Sequence, residues 1–87
     1  MKVNKKIVCK KILDNDVLID ISNNSNILKL NETSAFIFEL IKDNYSIEEI
    51  INKVTEEYDV DLIKASSDVC KFIEKLEKLN VIKQWLK

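Results

Sequence analysis

Histidine, glycine, proline and arginine are all missing from this 87-residue sequence. Without histidine, the commonest general base and the commonest metal ligand are lost together. Without glycine there is no loop able to cradle phosphates through its backbone. All 14 basic residues are lysine and the net charge is −1. The chain therefore has neither the basic excess nor the bidentate donors on which nucleic-acid binding usually draws. Cysteine is scarce too: Cys9 and Cys70 lie far apart and form no CxxC, which argues against a zinc or cluster site. Two free, half-buried thiols in a reducing compartment are expected rather than a disulfide. No apolar run is long enough to span a membrane. The N-terminal apolar stretch is broken by Lys10 and Lys11 before it reaches signal-peptide length. These absences describe a soluble, cytoplasmic, non-catalytic domain with no cofactor, no metal, and neither nucleic acid nor membrane as partner.

What is present supports one small folded domain over residues 1–87, since 46% of the residues are hydrophobic. Asn and Asp stand where Gly and Pro would make the turns, because both tolerate left-handed backbone and bond to their own main chain. The organising stretch is Asn26 to Ile41. Ile27, Leu28 and Leu30 suit a strand, Asn31 offers an N-cap, and helical apolar spacing follows at once. Before it, Met1 to Lys6 reads as a frayed basic lead-in and Ile7 to Leu13 as a first strand. Asp14-Asn15-Asp16 is a turn cluster, Val17 to Ile21 a second strand, Ser22 to Ser25 a turn, and Asn26 to Leu30 a third strand. Turns this short join antiparallel neighbours, so the strands form a meander.

Helices follow. The first spans about Glu32 to Lys42. The second starts at a Ser46–Glu49 capping box and buries Ile47, Ile50, Ile51, Val54 and Tyr58. Asp61 caps the third, about Leu62 to Leu79. Its stripe of Leu62, Ala65, Val69, Phe72, Leu76 and Leu79 steps by three and four. Beside the stripe, Ile63, Cys70 and Ile73 form one flank, while Lys64, Asp68, Lys71 and Lys75 form the other. Val81, Ile82, Trp85 and Leu86 are apolar, and residues 83–87 form the tail of the domain. The fold class is α+β, winged helix-turn-helix-like, with a three-stranded antiparallel sheet followed by three helices. The carboxylates of Glu48, Glu49, Glu56 and Glu57 read as a solvated face, and the early lysines as an exposed basic arm. A winged helix binds DNA in other settings. The same layout leaves an edge strand to which an extended peptide can add, with the third helix as the second wall of a groove.

The segment Leu30-Asn31-Glu32-Thr33-Ser34-Ala35-Phe36-Ile37-Phe38-Glu39-Leu40 resembles the "LNETAAFIWEL" signature of PqqD-like proteins. Ser46-Ile47-Glu48-Glu49-Ile50 resembles the family's "T-x-E-E-I", and Glu56 to Asp61 its "EEYDVD". Asp68-Val69 with Phe72-Ile73 and Leu76 resembles "DVxxFLxxL", and Leu79-Asn80-Val81-Ile82 the closing "L-x-x-G-L-I". The likeness runs in order from about Val17 to Ile82, with Asn80 in place of the usual glycine. It implies a RiPP recognition element, a peptide chaperone that binds the leader region of a ribosomally made precursor by strand addition. Such a domain presents the leader to a modifying enzyme, such as a radical-SAM maturase or, as in lasso peptides, a leader peptidase or cyclase. Carried onto this chain, the resemblance places backbone contacts at Ile27, Leu28, Lys29 and Leu30. Side-chain contacts fall on Lys64, Ser67, Asp68, Lys71 and Lys75, or on Ile63, Cys70 and Ile73, and the motif leaves the choice of flank open. A monomer or weak homodimer is expected. The alternative is a small winged-helix DNA-binding protein, which the charge balance disfavours.

Overall fold

The computed structural model describes residues 1–83. In chain order the elements are β1 (Lys2–Val3), β2 (Ile7–Ile12), β3 (Asn15–Asp20), β4 (Ser25–Leu30), α1 (Glu32–Lys42), α2 (Ile47–Tyr58), α3 (Leu62–Lys78) and β5 (Ile82–Lys83). Strands β2, β3 and β4 form the expected antiparallel meander, ahead of the three helices. Asn and Asp make the turns for the anticipated reason. Among the described residues six have positive φ, namely Leu13, Asp14, Asn24, Asn44, Asp59 and Asn80, and all but the first are Asn or Asp. Asn80, at φ 61°, adopts the left-handed backbone that suits the glycine usual at that place.

Leu13 is the exception. Ile12 pairs with Asn15, so Leu13 and Asp14 alone turn the chain, with φ of 49° and 70°. Two consecutive positive φ values define a type I′ hairpin, which favours Asn-Gly and disfavours a bulky residue. The expected first strand thus stops one residue early and the second begins two residues early, because the turn lies at Leu13–Asp14 rather than at Asp14 to Asp16. Leu13 gains nothing in return, being 90% exposed. Leu13→Asn is expected to stabilise the domain by about 0.5–1 kcal/mol. A thermal melt checks this, and a midpoint at or below the parent's would refute the turn assignment.

Caps fix where each helix starts. The Asn31 side chain accepts from the Ser34 N–H at 2.8 Å while the Ser34 hydroxyl accepts from the Asn31 N–H at 2.9 Å. Ser46 and Glu49 make the corresponding reciprocal pair, and Asp61 accepts from the Lys64 N–H. Each cap satisfies backbone donors that the first helical turn leaves free.

One core unites the elements. Ile7, Leu18 and Leu30 from the sheet meet Ile37, Phe38, Leu40 and Ile41 of α1, Ile50 and Val54 of α2, and Ala65, Val69, Ile73 and Leu76 of α3. Phe36 stays half-buried and stands edge-on to Tyr58, ring centroids 5.5 Å apart, which ties α1 to the end of α2. Val81 and Ile82 complete the core; Trp85 and Leu86 lie outside the described residues.

The lead-in is paired rather than frayed. Lys2 and Val3 align with Lys83 and Ile82, the Asn4 N–H donates to the Val81 carbonyl at 2.8 Å, and the Asn4 amide donates to the Asn80 carbonyl at 3.0 Å. A two-residue strand is too short to carry any periodicity, so its sequence gives no sign of it.

Candidate functional site: the open edge of the sheet

Strand β4 lies at one edge of the β2-β3-β4 sheet. Which of its backbone groups remain free follows from the register. The Ile21 N–H donates to the Lys6 carbonyl at 2.8 Å, one step beyond the Ile7–Asp20 pair. Hydrogen-bonded and non-bonded pairs alternate along an antiparallel ladder. Ile19 and Val17 therefore bond toward β2, while Leu18 and Asp16 bond toward β4. Their partners there are Leu28 and Leu30, which turn their N–H and C=O groups inward. Lys29, between them, turns both of its groups outward. Past Leu28 the register slips, because Leu18 faces Leu28 whereas Ile19 faces Asn26. Ile27 is the extra residue of this bulge, and its side chain packs against the core.

The second wall is α3. A cleft of ≈ 550 Å³ runs between it and the edge, lined by Leu28, Lys29 and Leu30 of β4, Asn31, Thr33, Ser34 and Ile37 at the strand-to-helix junction, and Asp68, Lys71, Phe72 and Lys75 of α3. The floor is apolar and the α3 rim is polar. Of the residues anticipated from the sequence, Leu28, Lys29, Leu30, Asp68, Lys71 and Lys75 come together here. Lys64 reaches the margin through an ion pair to Asp68 at 3.3 Å. Ser67 is exposed away from the lining.

The apolar flank is elsewhere. Ile73 is 2% exposed and belongs to the core, so it offers no free groove wall. Ile63 is 83% exposed and Cys70 is exposed rather than half-buried, but neither lines the cleft. The cause is a rotation of the expected stripe. The buried line of α3 is Ala65, Val69, Ile73 and Leu76, whereas Leu62 and Leu79 are exposed and Phe72 is half-buried at the rim. Successive helical residues differ by about 100° around the axis, so Phe72 and Ile73 stand on opposite margins of the stripe. Ile73 is drawn into the core, and Phe72 is left facing the cleft. Asn31, Thr33, Ser34, Ile37 and Phe72 line the cleft without having been marked as site residues by the sequence. An aromatic residue beside the polar Asp68–Lys71–Lys75 line was the available signal.

Elsewhere, a second hollow of ≈ 710 Å³ is bordered by Lys2, Lys5, Lys6 and Lys83, with Val3 and Ile82 its apolar members. Burial, reinforced by the Asp16 carboxylate, pushes the Cys9 thiol above its ordinary pKa. Cys9 packs, half-buried, against the core. Among the described residues, no helix is long and apolar enough to cross a membrane.

These features define a class: a small α+β domain whose open sheet edge is set against a helix wall. The chain belongs to the family of coenzyme PQQ synthesis protein D (PqqD), whose family model matches residues 15–82. Two solved structures share the fold. One, described as TbiB1 in complex with the TbiA(beta) leader peptide, is 23% identical, with a TM-score of 0.84 and 100% of each chain covered. The other, a lasso peptide synthetase B1 complexed with the leader peptide, is 22% identical, with a TM-score of 0.83 over 95% of this chain and 96% of its own. A search of curated proteins finds no significant match.

Proposed function

We propose that this domain is a RiPP recognition element. It binds the leader region of a ribosomally made precursor as a fourth strand at Lys29 and presents that peptide to a separate modifying enzyme. The observation that carries this reading is the coincidence of an outward-facing edge residue with a helix wall across an apolar-floored cleft. An added strand satisfies main-chain groups otherwise left to water, and the cleft supplies side-chain selection. Two proteins of the same fold are described as complexes with leader peptides, which supports the reading. The domain works in the cytoplasm and contributes no chemistry of its own. The modifying enzyme is a radical-SAM maturase or, as in lasso peptides, a leader peptidase or cyclase. Duplex DNA fits poorly, because the net charge is −1 and there is no arginine.

The test is an amide chemical-shift titration with synthetic leader segments of RiPP precursor peptides. The expected shifts fall on Leu28 to Leu30 and on Asp68 to Lys75, and the exposed face of α2 stays silent. Shifts confined to α2, or to the hollow among the N-terminal lysines, would overturn the reading.

A further inference from the structure

We infer that the cleft selects an acidic and apolar strand, one that carries an Asp or Glu two residues from the apolar side chain seated against Phe72. This rests on the leader-binding reading and adds the chemistry of the ligand. The charge balance of the rim is the starting point. Asp68 is the one carboxylate among the lining residues, and it is held by Lys64 at 3.3 Å. Among the described residues, neither Lys71 nor Lys75 takes part in an ion pair. The rim therefore presents two uncompensated ammonium groups. They are spaced i, i+4, neighbours on one helix face with Cβ atoms about 5–6 Å apart, an arrangement that is repulsive in the free domain. A carboxylate between them removes that repulsion and places its charge beside an apolar floor, where screening by water is weaker than on an open surface.

The strand geometry sets the spacing. Side chains of an added strand alternate between the two faces of the sheet, so residues i and i+2 both face α3. One of them enters the floor between Leu30 and Phe72, and the next on the same face meets the Lys71–Lys75 pair. Basic residues at that position are rejected, because they meet two like charges.

Selection of displayed random peptides tests this, using the parent and two folded variants, Lys71→Glu/Lys75→Glu and the neutral Lys71→Gln/Lys75→Gln. Parent binders that shift the Lys29 amide should be enriched in Asp or Glu two residues from an apolar position. An acidic peptide chosen on the parent should bind the neutral variant about three- to tenfold more weakly, with a flatter salt dependence. Selection on the charge-reversed variant should exchange the acid for Lys or Arg. Binders that occupy the Lys29 edge but show no acidic preference would overturn this inference and leave the leader-binding reading standing. Binders that map only outside the cleft, or no binders at all, would overturn both.

Discussion

Phe38→Ala is expected to remove about 3–5 kcal/mol of stability, most of what a domain of this size possesses. Phe38 is 1% exposed at the centre of the core, and the Lys42 ammonium stands 5.7 Å from its ring centroid. Truncation loses the transfer energy of the ring and leaves a cavity in the core that neighbouring side chains fill only in part. Phe72→Ala is the informative comparison. The sequence stripe makes Phe72 a core residue, but its half-buried place at the cleft rim reduces the expected cost to about 1–2 kcal/mol. Thermal or denaturant unfolding of both variants separates the two placements. Equal losses would show that Phe72, and not Ile73, faces inward on α3.

Most of the architecture was legible because it rests on short-range signals. Asn31, Ser46 and Asp61 each have a side-chain oxygen that pairs with a donor three residues on, and all three cap a helix where expected. The absence of glycine forced Asn and Asp into the left-handed positions, which made four of the turns readable. What failed depends on distant partners. Lys2–Val3 pairs with residues about eighty positions away, and nothing local to either segment announces that. The flank of α3 is a similar case. Ala65-Val69-Phe72-Leu76 and Ala65-Val69-Ile73-Leu76 fit a helical period equally well, and only the position of α2 and the sheet chooses between them. Half of the candidate site was therefore visible in advance. Strand β4 and the polar line Asp68–Lys71–Lys75 were named, while of the alternative Ile63, Cys70 and Ile73 the core takes up Ile73 and the exposed Ile63 and Cys70 lie outside the cleft lining. The Leu13 turn was missed because leucine is a poor resident of left-handed backbone, and sequence reasoning assigns it to a strand.

The largest effect on binding is expected from Lys29→Pro. The ladder phase set by the Ile21–Lys6 bond leaves the Lys29 N–H facing out of the sheet, so proline there removes no hydrogen bond that holds β4 to β3. The residue before it, Leu28, is already extended, the conformation that proline demands of its neighbour. The variant should therefore fold, with a far-ultraviolet spectrum like the parent's, yet lack the donor that an added strand needs most. Loss of that bond, with the proline ring intruding on the incoming backbone, should weaken leader binding about tenfold or more. Lys29→Ala keeps the backbone and should change affinity far less. Leu28→Pro provides the opposite control, because its N–H points inward to Leu18 and its loss breaks the ladder. That variant should lose stability by about 3 kcal/mol or more. Titration of a labelled leader peptide against the three proteins, alongside their melts, distinguishes an edge that binds from one that only closes the sheet. A folded Lys29→Pro protein with parental affinity would exclude strand addition at this residue. An unfolded Lys29→Pro beside a stable Leu28→Pro would show that the phase of the ladder is the reverse of the one derived from Ile21.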